Sequence, residues 1–143
     1  AGGLYYMKEF GCPSSAIITP HPGEAAMLLD CSVEELQENR LGAAKELYKK
    51  YNCLIILKGY QTIVFDGEAY QCTDGGPALS TAGTGDVLAG LIGSFLAQGL
   101  SKMDAARFSV AIHGAAGDKH SKNKGVRGLT ATKLIKIINE EML

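Results

Sequence analysis

Apolar and polar positions follow two rhythms along this chain, one of period two or less and one helical. Residues 16–19 form a short apolar run that Pro20 and Pro22 stop, which predicts a buried strand, a turn and a short helix over residues 24–29. Ser32 and Glu35 have capping-box spacing. Val33, Leu36, Ala44, Leu47, Tyr48 and Tyr51 follow at helical intervals, so one helix closed by Asn52 is expected. Residues 53–57 are continuously apolar and of strand length, as in a strand buried on both faces. Residues 62–65 and 68–72 flank Asp66-Gly67, a strong hairpin signal. A hairpin after strand–helix–strand points to a mixed sheet.

The remainder reads as helical. Gly75, Gly76 and Pro77 make a loop, and a helix over residues 87–97 ends at Gly99. A second begins near Ser101 and carries Ala105, Phe108, Ile112 and Ala116; a third runs from Thr130 through Leu134, Ile135, Ile138 and Met142. Residues 119–124 (KHSKNK) read as a basic surface loop. Gly90, Gly93, Ala111, Gly114, Ala115 and Gly117 are expected to face one another across the first two helices, at about 1 kcal/mol of helix propensity per interior glycine. No repeat or linker interrupts the pattern, so residues 1–143 read as one domain or part of one.

Composition narrows the classes. A hydrophobic share of 46% supports a packed core, and a net charge of −1 gives no basic footprint for nucleic acid. The apolar runs fall far short of the roughly 20 residues that a membrane span needs. The start lacks the basic region and apolar stretch of a signal peptide. Cys12, Cys31, Cys53 and Cys72 include no C-x-x-C pair, so zinc spacing is absent. Cys53 and Cys72 read as small core residues, and a reduced, cytoplasmic setting is expected. Ala1-Gly2-Gly3-Leu4 has no initiator Met, which suggests a fragment or processed product.

The chemistry concentrates in Thr81-Ala82-Gly83-Thr84-Gly85-Asp86, which runs straight into an apolar helix. A glycine turn opening a helix gathers unpaired N–H groups at the positive end of the dipole, a site for phosphate or a developing oxyanion. Asp86 could accept the proton of a hydroxyl being phosphorylated. The same residues also suit an ordinary helix start, since Asp is favoured there. No Lys-Ser/Thr follows, so this is not a P-loop, and G-x-G-x-x-G spacing is absent. Two further loops belong at strand ends, where open α/β sheets bind ligands: residues 19–24 and 58–62. His21, between two prolines, offers a fixed imidazole or is a surface-turn histidine. Glu24 reads as a first-turn charge. Lys58 either aims at phosphates or leaves its strand for water, and Thr62 offers a hydroxyl or begins the hairpin. His113 reads as a satisfied core histidine, His120 as solvated, and Asp118 as an end-of-helix charge.

Together TPHPGE, a strand followed by KGYQT, and AGTGDVLAG opening an apolar helix resemble the NAD(P)H-hydrate dehydratases of the ribokinase-like superfamily, from about residue 16 to residue 134. The GTGD-type turn marks the superfamily; TPHPGE is more specific to the dehydratases. The resemblance implies a ribokinase-like three-layer α/β/α fold with a mostly parallel sheet and a β-hairpin, here a C-terminal partial domain. Ala1-Gly2-Gly3-Leu4 looks like the tail of the strand end that precedes TPHPGE in the family. The resemblance also implies a repair reaction on the (6S)-hydrate of NADH or NADPH. A nucleotide phosphorylates the added hydroxyl, and loss of phosphate restores the reduced cofactor. ADP is the donor in bacterial members and ATP in eukaryotic relatives; ADP is expected here, with Mg²⁺ on the phosphates and no carboxylate cluster to mark its ligands. By motif, His21 would contact the hydrate and Lys58, Gly59, Tyr60, Gln61 and Thr62 would line the adenine nucleotide site. Gly85 would contact the nucleotide, and Asp86 would orient and deprotonate the substrate hydroxyl. The amides of Gly83, Thr84 and Gly85 would stabilise charge on the phosphoryl group. A homo-oligomer is implied for the full-length protein. Two other classes stay open: a ribokinase-like kinase that phosphorylates an alcohol, and a non-catalytic adenine-nucleotide-binding module.

Overall fold

The computed structural model describes residues 2–141, so Ala1 and Met142 lie outside the described residues. The chain divides into two compact units, one ending at Gln71 and one beginning at Cys72.

The first unit carries four helices and all four strands: α1 (Gly2–Phe10), β1 (Ile17–Ile18), α2 (Pro22–Leu29), α3 (Val33–Glu38), α4 (Arg40–Tyr51), β2 (Leu54–Leu57), β3 (Ile63–Phe65) and β4 (Ala69–Gln71). The strands lie in the order β1-β2-β3-β4. β1 runs parallel to β2, with Ile17 opposite Leu54. β2–β3 and β3–β4 are antiparallel, pairing Ile56 with Val64 and Phe65 with Ala69. The sheet is therefore mixed, and the mostly parallel arrangement is met only at β1–β2. The hairpin forms where Asp66-Gly67 marks it, but Glu68 joins the turn rather than the strand. Gly67 takes φ +89°, and the Asp66 N–H donates to the Glu68 carbonyl at 3.2 Å.

One core fills this unit: Leu28, Leu47, Ile55, Leu57, Ile63 and Phe65 are buried together, and Tyr48 meets Phe65 edge-on at 5.3 Å. Each such aliphatic side chain contributes about 1.5–3 kcal/mol when fully buried. Leu54, Ile56 and Val64 alternate with that set and are equally buried, so β2 is covered on both faces as its unbroken apolar run predicted.

Two expectations change here. The single helix expected between Ser32 and Asn52 is two helices. Asn39 leaves helical geometry at φ −140°, ψ 66°, and its side chain accepts from the Gly42 N–H at 2.9 Å, capping α4 afresh. The Gly2–Leu4 segment, expected as the tail of a strand end, opens α1, whose Met7 packs into the core. Elsewhere the caps hold as expected. Ser32 and Glu35 form a reciprocal capping box, and Asn52 closes α4 in the left-handed region.

The second unit has a 3₁₀ turn (Pro77–Leu79) and three helices, α5 (Thr84–Ala97), α6 (Lys102–Lys124) and α7 (Ala131–Glu141). Ala78, Ala116, Leu129, Leu134 and Ile138 form its core. Residues 119–124, expected as a loop, are the last turns of α6. No helix breaker intervenes before Gly125, and His120 is buried, not solvated, its Nε2 3.1 Å from the Arg127 carbonyl. Phe108, one of the apolar positions in the α6 pattern, is 54% exposed and lies against Phe95. Among the described residues no helix is long and apolar enough to cross a membrane.

Candidate functional site

In the first unit the TPHPGE and KGYQT loops meet at one sheet edge. β1 and β2 are parallel, so both loops leave from the carboxyl ends of their strands. The pairing continues past the strands, where the Lys58 N–H donates to the Pro20 carbonyl at 2.9 Å. His21 is the N-cap of α2. Its Nδ1 accepts from the Glu24 N–H at 3.2 Å while Glu24 Oε2 accepts from the His21 N–H at 2.8 Å, a capping box with histidine in the role of serine. An accepting Nδ1 puts the ring proton on Nε2, which lies 3.6 Å from Glu24 Oε2, and the His21 side chain is more than half exposed, so a ligand can reach it. Pro22 at the first helical position and Pro20 before it fix the approach. Glu24 is thus a first-turn residue with a defined structural partner.

The 58–62 loop is shaped by side chains rather than left to solvent. Gly59 adopts φ +132° and Gln61 φ +53°. The Thr62 hydroxyl donates to the Gly59 carbonyl at 3.1 Å, and Gln71 Nε2 donates to Gln61 Oε1 at 2.8 Å. Thr62 therefore closes the turn and does not begin β3. Arg40 Nη2 donates to the carbonyls of Leu57 and Lys58, each at 3.2 Å, and a Cβ on Gly59 would fall 3.0 Å from Nη1. Burial lowers the pKa of that guanidinium from its usual value. Tyr60 projects outward, 79% exposed, and Lys58 is partly exposed.

In the second unit Gly83 is the N-cap of α5 at φ +85°, so Thr84, Gly85 and Asp86 are its first three residues. The helix begins three residues earlier than its apolar pattern, and the glycine turn is its first turn. The Thr84 N–H reaches the Thr81 carbonyl at a long 3.3 Å, whereas neither the Gly83 nor the Gly85 amide has a backbone acceptor among the described residues. Thr84 itself is buried, and its hydroxyl lies 2.6 Å from the Leu79 carbonyl and 2.8 Å from that of Thr81. Asp86 is exposed at the third position. Such a turn can accept an anionic group on its amides with a carboxylate beside it.

A stripe on α6 shapes this turn. His113 Nε2 lies 2.8 Å from the Thr84 carbonyl, and Asp118 Oδ2 accepts from the Gly75 N–H at 2.9 Å. Between them, a Cβ on Gly114 would stand 2.7 Å from the Asp74 carbonyl oxygen, and one on Gly117 would stand 2.6 Å from Leu79 Cγ. These glycines admit the loop, not α5. A Cβ on Gly90 or Gly93, expected to face them, would meet nothing within 4 Å among the described residues. Asp118 lies inside α6 and not at its end.

Among the described residues no group of three or more His, Cys, Asp or Glu side chains gathers to hold a metal.

The profile of the NAD(P)H-hydrate dehydratase family matches residues 1–140 of this chain. The chain belongs to that family. A bifunctional NAD(P)H-hydrate repair enzyme, Nnr, of Vibrio cholerae is 44% identical over 98% of the chain and 29% of the relative. An ADP-dependent (S)-NAD(P)H-hydrate dehydratase of Neisseria meningitidis is 41% identical over 87% of the chain and 43% of its own length. The crystal structure of the ADP/ATP-dependent NAD(P)H-hydrate dehydratase of Bacillus subtilis, co-crystallised with ATP and Mg²⁺, superposes with a TM-score of 0.83 at 34% identity, covering 87% of this chain and 46% of that one. The fold is ribokinase-like. The chain spans under half the length of these relatives.

Within this family member, sequence reasoning singled out the loops but missed what holds them. Arg40 carried a signal, since a cation at the first position of a helix opposes the dipole and calls for another partner. Gly114 and Gly117, on one face of one helix, signalled a close approach but not what approaches. The roles of His113 and Asp118 carried no signal beyond their place in the same helix.

Proposed function

We propose that this chain carries the nucleotide loops and the base of a nucleotide-dependent (6S)-NAD(P)H-hydrate dehydratase. The observation that carries the reading is the first turn of α5, where the Gly83 and Gly85 amides lack backbone acceptors among the described residues, beside an exposed Asp86. Family membership supports the substrate and the donor. Asp86 orients the hydrate hydroxyl and takes its proton as the oxygen attacks the terminal phosphorus of ADP. The bond from that phosphorus to the bridging oxygen breaks and AMP leaves. The amides of Gly83, Thr84 and Gly85 stabilise charge on the transferred group. The ring C–O bond then breaks, phosphate departs, and the neighbouring ring carbon loses a proton to restore the double bond. His21 contacts the hydrate through its Nε2–H. Lys58, Gly59, Tyr60, Gln61 and Thr62 line the nucleotide, with Lys58 against its phosphates. Mg²⁺, carried on those phosphates, supplies charge neutralisation when bound. The reading includes a cytoplasmic setting, as the cysteine usage suggests, and a homo-oligomeric intact enzyme, as the family resemblance implies.

The test is recovery of reduced-nicotinamide absorbance from NADH hydrate, using the intact protein that carries this chain, Mg²⁺, and ADP or ATP in parallel. Recovery with ADP is expected. A stable phosphorylated alcohol would establish the kinase, and nucleotide binding without turnover the binding module. Lys58→Ala is expected to weaken ADP binding about tenfold or more, as loss of a charge-assisted contact does. An unchanged dissociation constant by calorimetry removes Lys58 from the nucleotide site.

A further inference from the structure

We propose that His113 is a positioning residue for the anion-binding turn, acting through the Thr84 carbonyl to aim and strengthen the Gly85 amide. This rests on the functional reading above and deepens it. A carbonyl oxygen only accepts, so the 2.8 Å contact makes His113 Nε2 the donor and fixes the ring tautomer. Thr84 C=O and Gly85 N–H belong to one planar trans peptide and point in opposite directions. Whatever fixes the carbonyl therefore fixes the amide. Donation into the carbonyl also draws electron density away from the peptide nitrogen, which makes its N–H a stronger donor to an oxyanion.

The surroundings leave that peptide little freedom. His113 and Thr84 are both buried, and the Thr84 hydroxyl is held between the Leu79 and Thr81 carbonyls. Further along α6, Asp118 anchors the Gly75 amide at the other end of the same loop. Gly117 lets Leu79 lie against the helix between these anchors. A histidine that merely satisfied itself in the core would need none of this to coincide with a peptide whose N–H is one of the two without a backbone acceptor among the described residues.

The experiment compares wild-type intact protein with Asp86→Asn, His113→Leu and His113→Gln. Leu keeps the bulk without the donor, and Gln restores an N–H near the place of Nε2. His113→Leu is expected to lower kcat about tenfold or more, less than loss of a direct oxyanion donor, with nucleotide KM held within about threefold. His113→Gln should recover most of that rate. In nucleotide-free protein labelled with ¹⁵N, the Gly85 amide resonance should move in His113→Leu and return towards wild type in His113→Gln. An unchanged kcat in His113→Leu, an unmoved Gly85 resonance, or equal losses of rate and thermal stability in both variants would overturn the proposal. Absence of wild-type turnover, or full activity in Asp86→Asn, would overturn the functional reading instead. The Gly85 resonance would still decide whether His113 holds the peptide.

Discussion

Replacing Asp86 by Asn is expected to lower turnover by about 10²–10⁴-fold while the nucleotide dissociation constant stays within about threefold. Asp86 is the third residue of α5 and exposed, and its side chain makes no hydrogen bond among the described residues. It therefore contributes little to holding the turn together. Asn keeps the shape and still suits a helix start, so the backbone donors should remain where they are. What disappears is a negatively charged acceptor for the hydroxyl proton. In a loose phosphoryl-transfer transition state that proton leaves late, so on the proposed reading the carboxylate would also work by holding the hydroxyl in line. Steady-state turnover and calorimetric nucleotide binding, measured on the same preparation, separate the two effects. Full turnover in Asp86→Asn would remove the base role.

Gly114→Ala is expected to destabilise the protein by about 1–3 kcal/mol, the range for overpacking a close contact. Alanine ordinarily strengthens a helix interior relative to glycine, so the expected sign is the reverse of propensity. The reason is the neighbour. The new Cβ would lie 2.7 Å from the Asp74 carbonyl oxygen and 2.8 Å from its carbon, and backbone cannot rotate aside as a side chain can. Gly117→Ala meets the Leu79 side chain at 2.6 Å and should cost less, because that side chain can change rotamer. Thermal unfolding of the two variants beside wild type checks the order. A melting temperature at or above wild type for Gly114→Ala would refute the close approach.

Some of this architecture was legible because single residue types force single outcomes. The unbroken apolar run at 53–57, of strand length, suited a strand covered on both sides, and Leu54–Leu57 is buried at every position. Asp66-Gly67 specified a hairpin through the positive φ it permits. The turn from Gly83 to Asp86 announced a helix start with donors exposed. Other features were not legible, because they depend on what arrives from elsewhere in the chain. Asn39 splits one apparent helix into α3 and α4, and Gly42, where a Cβ would collide with the Asn39 side-chain amide, did not by itself mark the break, since a helical hydrophobic pattern survives a change of axis. The KHSKNK segment looked solvated by composition, yet His120 turns inward to the Arg127 carbonyl and α6 runs on to Gly125. Glycine spacing on α6 showed where side chains are missing, and only the folded chain shows that the vacant space belongs to the loop.

Gln61 holds a left-handed backbone conformation, φ +53°, that costs an ordinary L-residue about 1–2 kcal/mol. Its side chain is bonded to Gln71, the adjoining turn is closed by Thr62, and the preceding carbonyls are gripped by Arg40. The strained shape is thus held by contacts within the chain itself. On the proposed reading, a nucleotide at this loop would meet a finished mould, and its binding energy would not be drawn down in bending the chain to fit.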